Sequence, residues 1–418
     1  MNKKVGTTQK TLSELNDDCL QHILSFLPLT DKLILANYFG EDRVLQLVSE
    51  KDVFYIEESL PISFRPSERR RRYKLIAAHC RSLEAIRLFN PACESELKIF
   101  QKILFANKSL ESISVTGEDE RFQHRLLSTV GNMQSIKYLD LPVFNKVSGA
   151  EISQMTNLVG LDIRHCSIFR EENFIKLMNG NNLKYLDISY CPLLADGALQ
   201  ALFDTQHELE YLIISPIEYC NYESIGQLKK LKQLILCDIY EPAVTSVFEE
   251  IANLPNLELL EISGYRNCFK IFLSRIVSLK NLKFLYLPEF QHVDDNVLRA
   301  IALKIPNLEE LRIDISDYDS ASDVSADGLV ELIRDLKNLQ KCDVEHVTIK
   351  LDLDLLHKFI EARKQANPQP LKIYWGRYIH EDLLKSRLYL DNLDIVEFRR
   401  EEIPYRHSWR KNKLFLFK

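Results

Sequence analysis

The chain has 418 residues, too many for one compact core, so several domains or a repeat array must account for it. Apolar residues make up 46%, which excludes a disordered chain, and a net charge of −6 excludes the global basic field of a nucleic-acid binder. Only 12 glycines are present, which disfavours phosphate-cradling loops, and the nine cysteines form no CxxC pair, which disfavours a zinc centre or a disulfide framework.

Reduced thiols imply an intracellular protein of the cytoplasm or nucleus. Residues 1–10 carry lysines but no apolar run follows them, so no secretory signal is expected. No stretch of 18 apolar residues occurs, so no membrane span is expected either.

In chain order, residues 1–11 read as a disordered N-terminus and 12–50 as a small helical domain. Asn16 can cap a helix whose first turn holds Asp17 and Asp18. Leu20, Ile23, Leu24 and Leu27 then fall at i, i+3, i+4 and i+7, one apolar stripe, before Pro28 stops the helix. Thr30 can cap a second helix containing Leu33, Ile34 and Leu35, and Val44, Leu45, Leu47 and Val48 suggest a third. Three helices in so few residues make a core that is marginal without a partner. Residues 51–74 read as a linker or capping segment with an arginine run at 69–72. Arginines in a first helical turn oppose the helix dipole. Either the helix starts nearer Tyr73 or an anionic group lies close by; the plainer reading is a solvated linker.

Residues 75–398 carry a repeat, L-x-x-L-x-[LIV]. Examples are Leu83/Ile86/Leu88, Leu158/Leu161/Ile163, Leu183/Leu186/Ile188, Leu231/Leu234/Leu236 and Leu308/Leu311/Ile313. From Leu83 to Leu308 the start-to-start spacings lie between 22 and 27 residues. Leu339/Cys342/Val344 is a weaker copy, and Leu393/Val396/Phe398 is read as the last. The final two anchors of each triplet are two apart, so they share one face of a short strand. A helical pattern follows many strands, as in Val297, Leu298, Ile301, Ala302 and Ile305 before Pro306. One strand and one helix cannot bury their own apolar face, whereas stacked copies can. Residues 399–418 are a basic tail.

These repeats resemble the leucine-rich-repeat family. Cys166 and Cys191, each eight residues after a first leucine, resemble its cysteine-containing subtype, where the thiol bonds to loop backbone. Residues 15–33, LNDDCLQHILSFLPLTDKL, resemble the F-box motif, with Asn16 in place of the usual proline. The expected fold class is therefore α/β: a leucine-rich-repeat solenoid, with a curved parallel sheet inside and helices outside, preceded by a three-helix F-box-like domain. The resemblance implies that Leu15, Leu20, Ile23, Phe26, Leu27, Pro28 and Leu33 dock onto a Skp-type adaptor and, through it, a cullin. The chain would then be the non-catalytic target-recognition subunit of a ubiquitin ligase. The alternatives are an ordinary helical cap on the array and a stand-alone repeat scaffold.

No HExxH, GxSxG, Walker or GxGxxG motif is present, so no enzyme activity, metal or cofactor is expected, nor any nucleic-acid or membrane partner. Acidic residues between Asp314 and Asp327 lack the glycine and closing glutamate of a calcium loop and read as a loop insertion. The target, of unknown identity, is expected on the concave sheet face. There the residues flanking each second anchor include Tyr185 and Asp187, followed by an apolar and aromatic run of Tyr211, Ile213, Ile235, Leu259, Phe284 and Tyr286. A folded-back tail, or a tightly curved face that partly buries itself, would cover the same residues.

Overall fold

The computed structural model describes residues 15–27, 32, 35, 53–54, 66–81, 83–89, 91, 93–116, 121–215, 222–238, 244–263, 279–288, 293–314, 324–345, 349, 351–366, 371–375 and 393–397. Contacts divide the chain into two compact units, Met1–Ile168 and Phe169–Lys418. In each, short strands pair in parallel and in chain order.

The first unit begins with α1 (Asp17–Ser25) and continues through β1 (Val53–Phe54), α2 (Pro66–His79), β2 (Ala85–Phe89), α3 (Glu94–Ala106) and β3 (Ser112–Thr116). It ends with α4 (Gln123–Val130), β4 (Tyr138–Asp140) and β5 (Gly160–Asp162). The strand register aligns Phe54, Ile86, Ile113, Leu139 and Leu161 in one column. Strand β1 and the start of α2 lie within the segment that reads as a linker in sequence.

The second unit holds α5 (Glu171–Gly180), β6 (Tyr185–Asp187), α6 (Asp196–Thr205), β7 (Tyr211–Ile214), a 3-10 turn (Ile225–Gln227), β8 (Gln233–Leu236) and α7 (Val244–Ile251). Then come β9 (Leu259–Ile262), β10 (Phe284–Leu287), α8 (Asp295–Lys304), β11 (Glu310–Asp314) and α9 (Ala326–Asp335). The last elements are β12 (Lys341–Glu345), α10 (Leu353–Ala366), β13 (Leu371–Trp375) and β14 (Leu393–Glu397). Here the column runs Leu186, Leu212, Leu234, Leu260, Leu285, Leu311, Cys342, Ile373 and Ile395. The column residues from Leu186 to Ile373 are buried, and so are the apolar stripes of the helices, such as Val297, Leu298, Ile301 and Ala302 on α8. This is a leucine-rich-repeat architecture.

Two repeats differ from the sequence expectation. Strand β13 is a full member of the sheet, yet Pro370 occupies its first anchor position, which hides it from a leucine search. In β14 the column residue is Ile395, one position earlier than the expected Val396. The register of Val396 is instead with Tyr374.

Helix ends are tied to the neighbouring repeat. Asn107 is fully buried; its amide donates to the carbonyls of Ile103 (2.8 Å) and Cys80 (3.2 Å), and its oxygen accepts from the Leu83 N–H (2.9 Å). Gln206 does the same in the second unit, donating to Met178 (2.8 Å) and Asn181 (3.0 Å) and accepting from Leu183 N–H (2.8 Å). An outer row repeats the device: Asn256, Asn281 and Asn307 donate to the carbonyls of Lys229, Pro255 and Lys280 at 2.7–3.0 Å. These bonds satisfy carbonyls and amides that no ladder or helix uses.

A second edge carries alternating charge. The residue two before each column residue is Lys184, Glu210, Lys232, Glu258, Lys283 and Glu309 in β6 to β11. Glu210 meets Lys232 at 2.7 Å and Lys184 at 3.9 Å, and Lys283 meets Glu258 at 3.8 Å.

The arginine run resolves on the second of its two expectations. Helix α2 starts at Pro66, well before Tyr73, and an anionic group does lie close by: Arg70 Nε stands 3.7 Å from Oε1 of the buried Glu96.

Two substitutions test this packing. Leu186→Ala, at a fully buried column position, should lower unfolding stability by about 2–5 kcal/mol in urea denaturation. Gly131→Ala should be at least as damaging, because its Cβ would collide with the backbone carbonyl of Glu151, which cannot rotate away. Unchanged unfolding midpoints would refute the register.

Candidate functional site

Helix α1 begins as expected. Asn16 Oδ1 accepts from the Cys19 N–H at 2.9 Å, and Asp17 and Asp18 fill the first turn. Its apolar stripe divides. Leu20 and Leu24, four apart, are buried, whereas Ile23 and Phe26 remain 37% and 74% exposed. Leu15 and Leu27 are half-buried. The His22 and Phe26 rings meet edge-on, centroids 5.0 Å apart, so Phe26 is held by its own helix and not by a core. Pro28, Leu33 and the expected third helix lie outside the described residues; Lys32 and Leu35 are helical.

The second candidate region is the strand face that carries the residues flanking each column position. On β6 to β10 the register builds two rows. One is Tyr185, Tyr211, Gln233, Leu259 and Phe284; the other is Asp187, Ile213, Ile235, Glu261 and Tyr286. All eight residues expected at a target surface therefore share one face. Their exposure differs from the expectation of an open patch. Tyr185, Ile213, Ile235 and Leu259 are buried and form a cluster with Cys237. Asp187 is fully buried, its Oδ1 accepting from the Ser189 N–H (3.0 Å) and Oγ (2.6 Å). Only Tyr211, Phe284 and Tyr286 are half-exposed, packed against that cluster together with Tyr190. The cause is the strand spacing of about 4.8 Å, which lets large side chains on adjacent strands cover one another.

Tyr190 reaches the cluster from a strand end. It has φ 58°, as Asp238 has φ 51°, each two residues past the last anchor of its repeat. The turn is held by the next repeat: Tyr190 N–H donates to Ser215 Oγ at 3.1 Å and Asp238 N–H to Ser263 Oγ at 3.3 Å. Beyond the cluster polarity returns. Tyr286 OH donates to Glu310 Oε2 at 2.9 Å, Lys341 pairs with the same carboxylate, and Arg312 lies 3.7 Å from Asp343. Burial raises the Tyr211 phenol above its ordinary range.

In the first unit the corresponding row is polar: Arg87, Ser114, Asp140 and Asp162, all buried. Ser114 Oγ donates to Asp140 at 2.7 Å, and Arg164 pairs with Asp162 at 3.0 Å. The two faces thus present different chemistry.

The cysteines are structural where the repeat places them. Cys166 Sγ donates to Leu141 O at 3.3 Å, and Cys191 Sγ lies 3.8 Å from Ser189 O. Burial pushes the thiols of Cys166 and Cys342 up to about 12. Cys93, at the N-cap of α3, differs. Its Sγ meets Ser95 Oγ at 3.0 Å and the Arg70 guanidinium at 3.2 Å. The Ser95 hydroxyl, then the Glu96 N–H, hold it below the ordinary thiol range.

Two measurements follow. Iodoacetamide at neutral pH should label Cys93 and the exposed Cys19 of the native chain, and leave Cys166, Cys191 and Cys342 unlabelled until it unfolds. The folded thiols at Cys166 and Cys342 keep protons that unfolded thiols release above their ordinary 9.0. Their contribution to stability is therefore complete below about pH 9 and lost as pH rises towards 12. The urea midpoint should fall between pH 8 and pH 10, and fall less in Cys166→Ala; an equal fall in both would refute this.

No protein-family model matches the chain, and no curated protein matches it. Among solved structures it is similar to a chain of the yeast Rad7 and Elc1 complex, at 17% identity and a TM-score of 0.46, over 74% of this chain and 90% of that one. It is also similar to an internalin from Listeria monocytogenes, at 16% identity and a TM-score of 0.38, over 71% and 83% of the two chains. A third similarity, to internalin C2 of the same bacterium, has 19% identity and a TM-score of 0.31, over 57% and 88%.

Proposed function

We propose that the chain is the target-recognition subunit of a Skp–cullin–F-box-type ubiquitin ligase. In this reading it makes no bonds itself. Helix α1 docks on the Skp-type adaptor, and the repeat face of β6 to β10 holds the target near a ubiquitin-charged enzyme that other subunits bring. Proximity is then its whole contribution to rate.

The observation that carries the proposal is the divided stripe of α1. Leu20 and Leu24 fix the helix to the chain, while Ile23 and Phe26 face solvent within the string that resembles an F-box. An aromatic residue at 74% exposure, three positions from an exposed isoleucine, is an apolar edge suited to a partner's groove. No helix of the described residues is long and apolar enough to cross a membrane. A stand-alone repeat scaffold is the second reading; it leaves the exposed pair without a role.

Co-purification with the Skp-type adaptor tests the proposal. Phe26→Glu and Ile23→Glu should each abolish capture, since a charge buried unpaired at an interface costs several kcal/mol. Both positions are exposed, so the thermal unfolding of the repeat array should not change. Capture that survives both substitutions would overturn the F-box reading.

A further inference from the structure

Helix α1 carries a second stripe beside the one that anchors it. Cys19, His22, Ile23 and Phe26 fall at i, i+3, i+4 and i+7, and all four are exposed. Histidine is the side chain that ordinarily changes charge between pH 5 and 8. The His22 ring meets Phe26 edge-on at a centroid distance of 5.0 Å, so it lies against the aromatic that the adaptor's groove would take. Asp18, one turn earlier, is the charged group on the ring's side of the helix, and Cys19 is the other titratable neighbour. Among the described residues no hydrogen bond or ion pair reaches the ring from any element; His22 is otherwise engaged through its backbone carbonyl, which accepts from Ser25 Oγ at 2.7 Å. The imidazole can therefore gain or lose its proton without disturbing the fold.

We propose that α1 docks on the Skp-type adaptor with His22 neutral, so that protonating this one ring releases the chain from the ligase. The inference concerns the regulation of the docking edge and rests on the adaptor role proposed above. A groove that takes Ile23 and Phe26 also strips water from the ring packed against Phe26. Removal from water disfavours the charged form of an imidazole. Docking therefore expels a proton, and by linkage acid weakens docking. The direction is fixed: affinity is complete above the range in which an imidazole titrates and falls as pH drops through it.

The test measures the affinity of the full chain for the Skp-type adaptor by titration calorimetry at pH 7.5 and pH 5.5. The native chain should bind about fivefold more weakly at the lower pH. His22→Gln, neutral at both, should lose that step and keep the affinity of pH 7.5. His22→Arg, charged at both, should bind about fivefold more weakly throughout. His22 is exposed, so both variants should unfold thermally as the native chain does. Titrations near pH 6.5 in two buffers of different ionisation enthalpy count the protons released on docking. The native chain should release a fraction of a proton that His22→Gln does not, which a loss of packing alone would not produce. Groups that titrate on the adaptor affect the native chain and its variants alike and cancel in the comparison. A pH profile unchanged in His22→Gln, or His22→Arg binding as tightly as the native chain at pH 7.5, would overturn the proposal. The two readings separate. Capture at pH 7.5 with an unaltered profile removes this inference alone, and no capture at either pH removes the ligase role and this inference with it.

Discussion

Everything in this molecule depends on the fact that one repeat cannot bury its own column residue. A strand of two to five residues and one helix leave a leucine half-covered, and the missing cover is the equivalent residue of the next strand. Stability is therefore shared between neighbours and grows with their number. The column tolerates chemical substitution provided that volume and apolarity are kept: Cys342, Ile373 and Ile395 take the place of leucine without interrupting the register.

The second requirement is the accounting of backbone polar groups. Each helix end and each turn leaves carbonyls and amides that neither the sheet nor the helices use. Buried side-chain amides supply the partners, at Asn107 in one unit and Gln206 in the other, and Asn256, Asn281 and Asn307 do so on the outer row. A buried amide that bonds two or three backbone groups across a repeat boundary fixes the spacing between repeats more sharply than apolar contact alone, which has no direction.

The sequence carries the fold wherever the first leucine is present, because three anchors at fixed spacing state both the strand and its facing. Where another residue stands at that position the strand is missed or misregistered: Pro370 conceals β13, Lys51 precedes β1, and Asn392 stands where β14 would carry its first leucine. The candidate surface was legible in its register and not in its burial. Alternation says which side chains share a face, but whether Ile213 and Ile235 are open or covered depends on the bulk of the tyrosines and the phenylalanine beside them. For the same reason the stripe of α1 was legible as a stripe, while its division into buried Leu20 and exposed Phe26 depends on what lies against the helix. Asn107 and Gln206 have no local pattern to announce them, since the partners they reach in the neighbouring repeat are about 25 residues away.

The alternating lysine and glutamate edge of β6 to β11 has a consequence for how such an array can change length. Pairs this exposed add little stability, but like charges set side by side carry a penalty. Losing one repeat from this stretch sets lysine against lysine or glutamate against glutamate at the junction. Losing two restores the alternation. Along this edge the unit of insertion and deletion is the repeat pair, so the array can lengthen or shorten most readily by even steps.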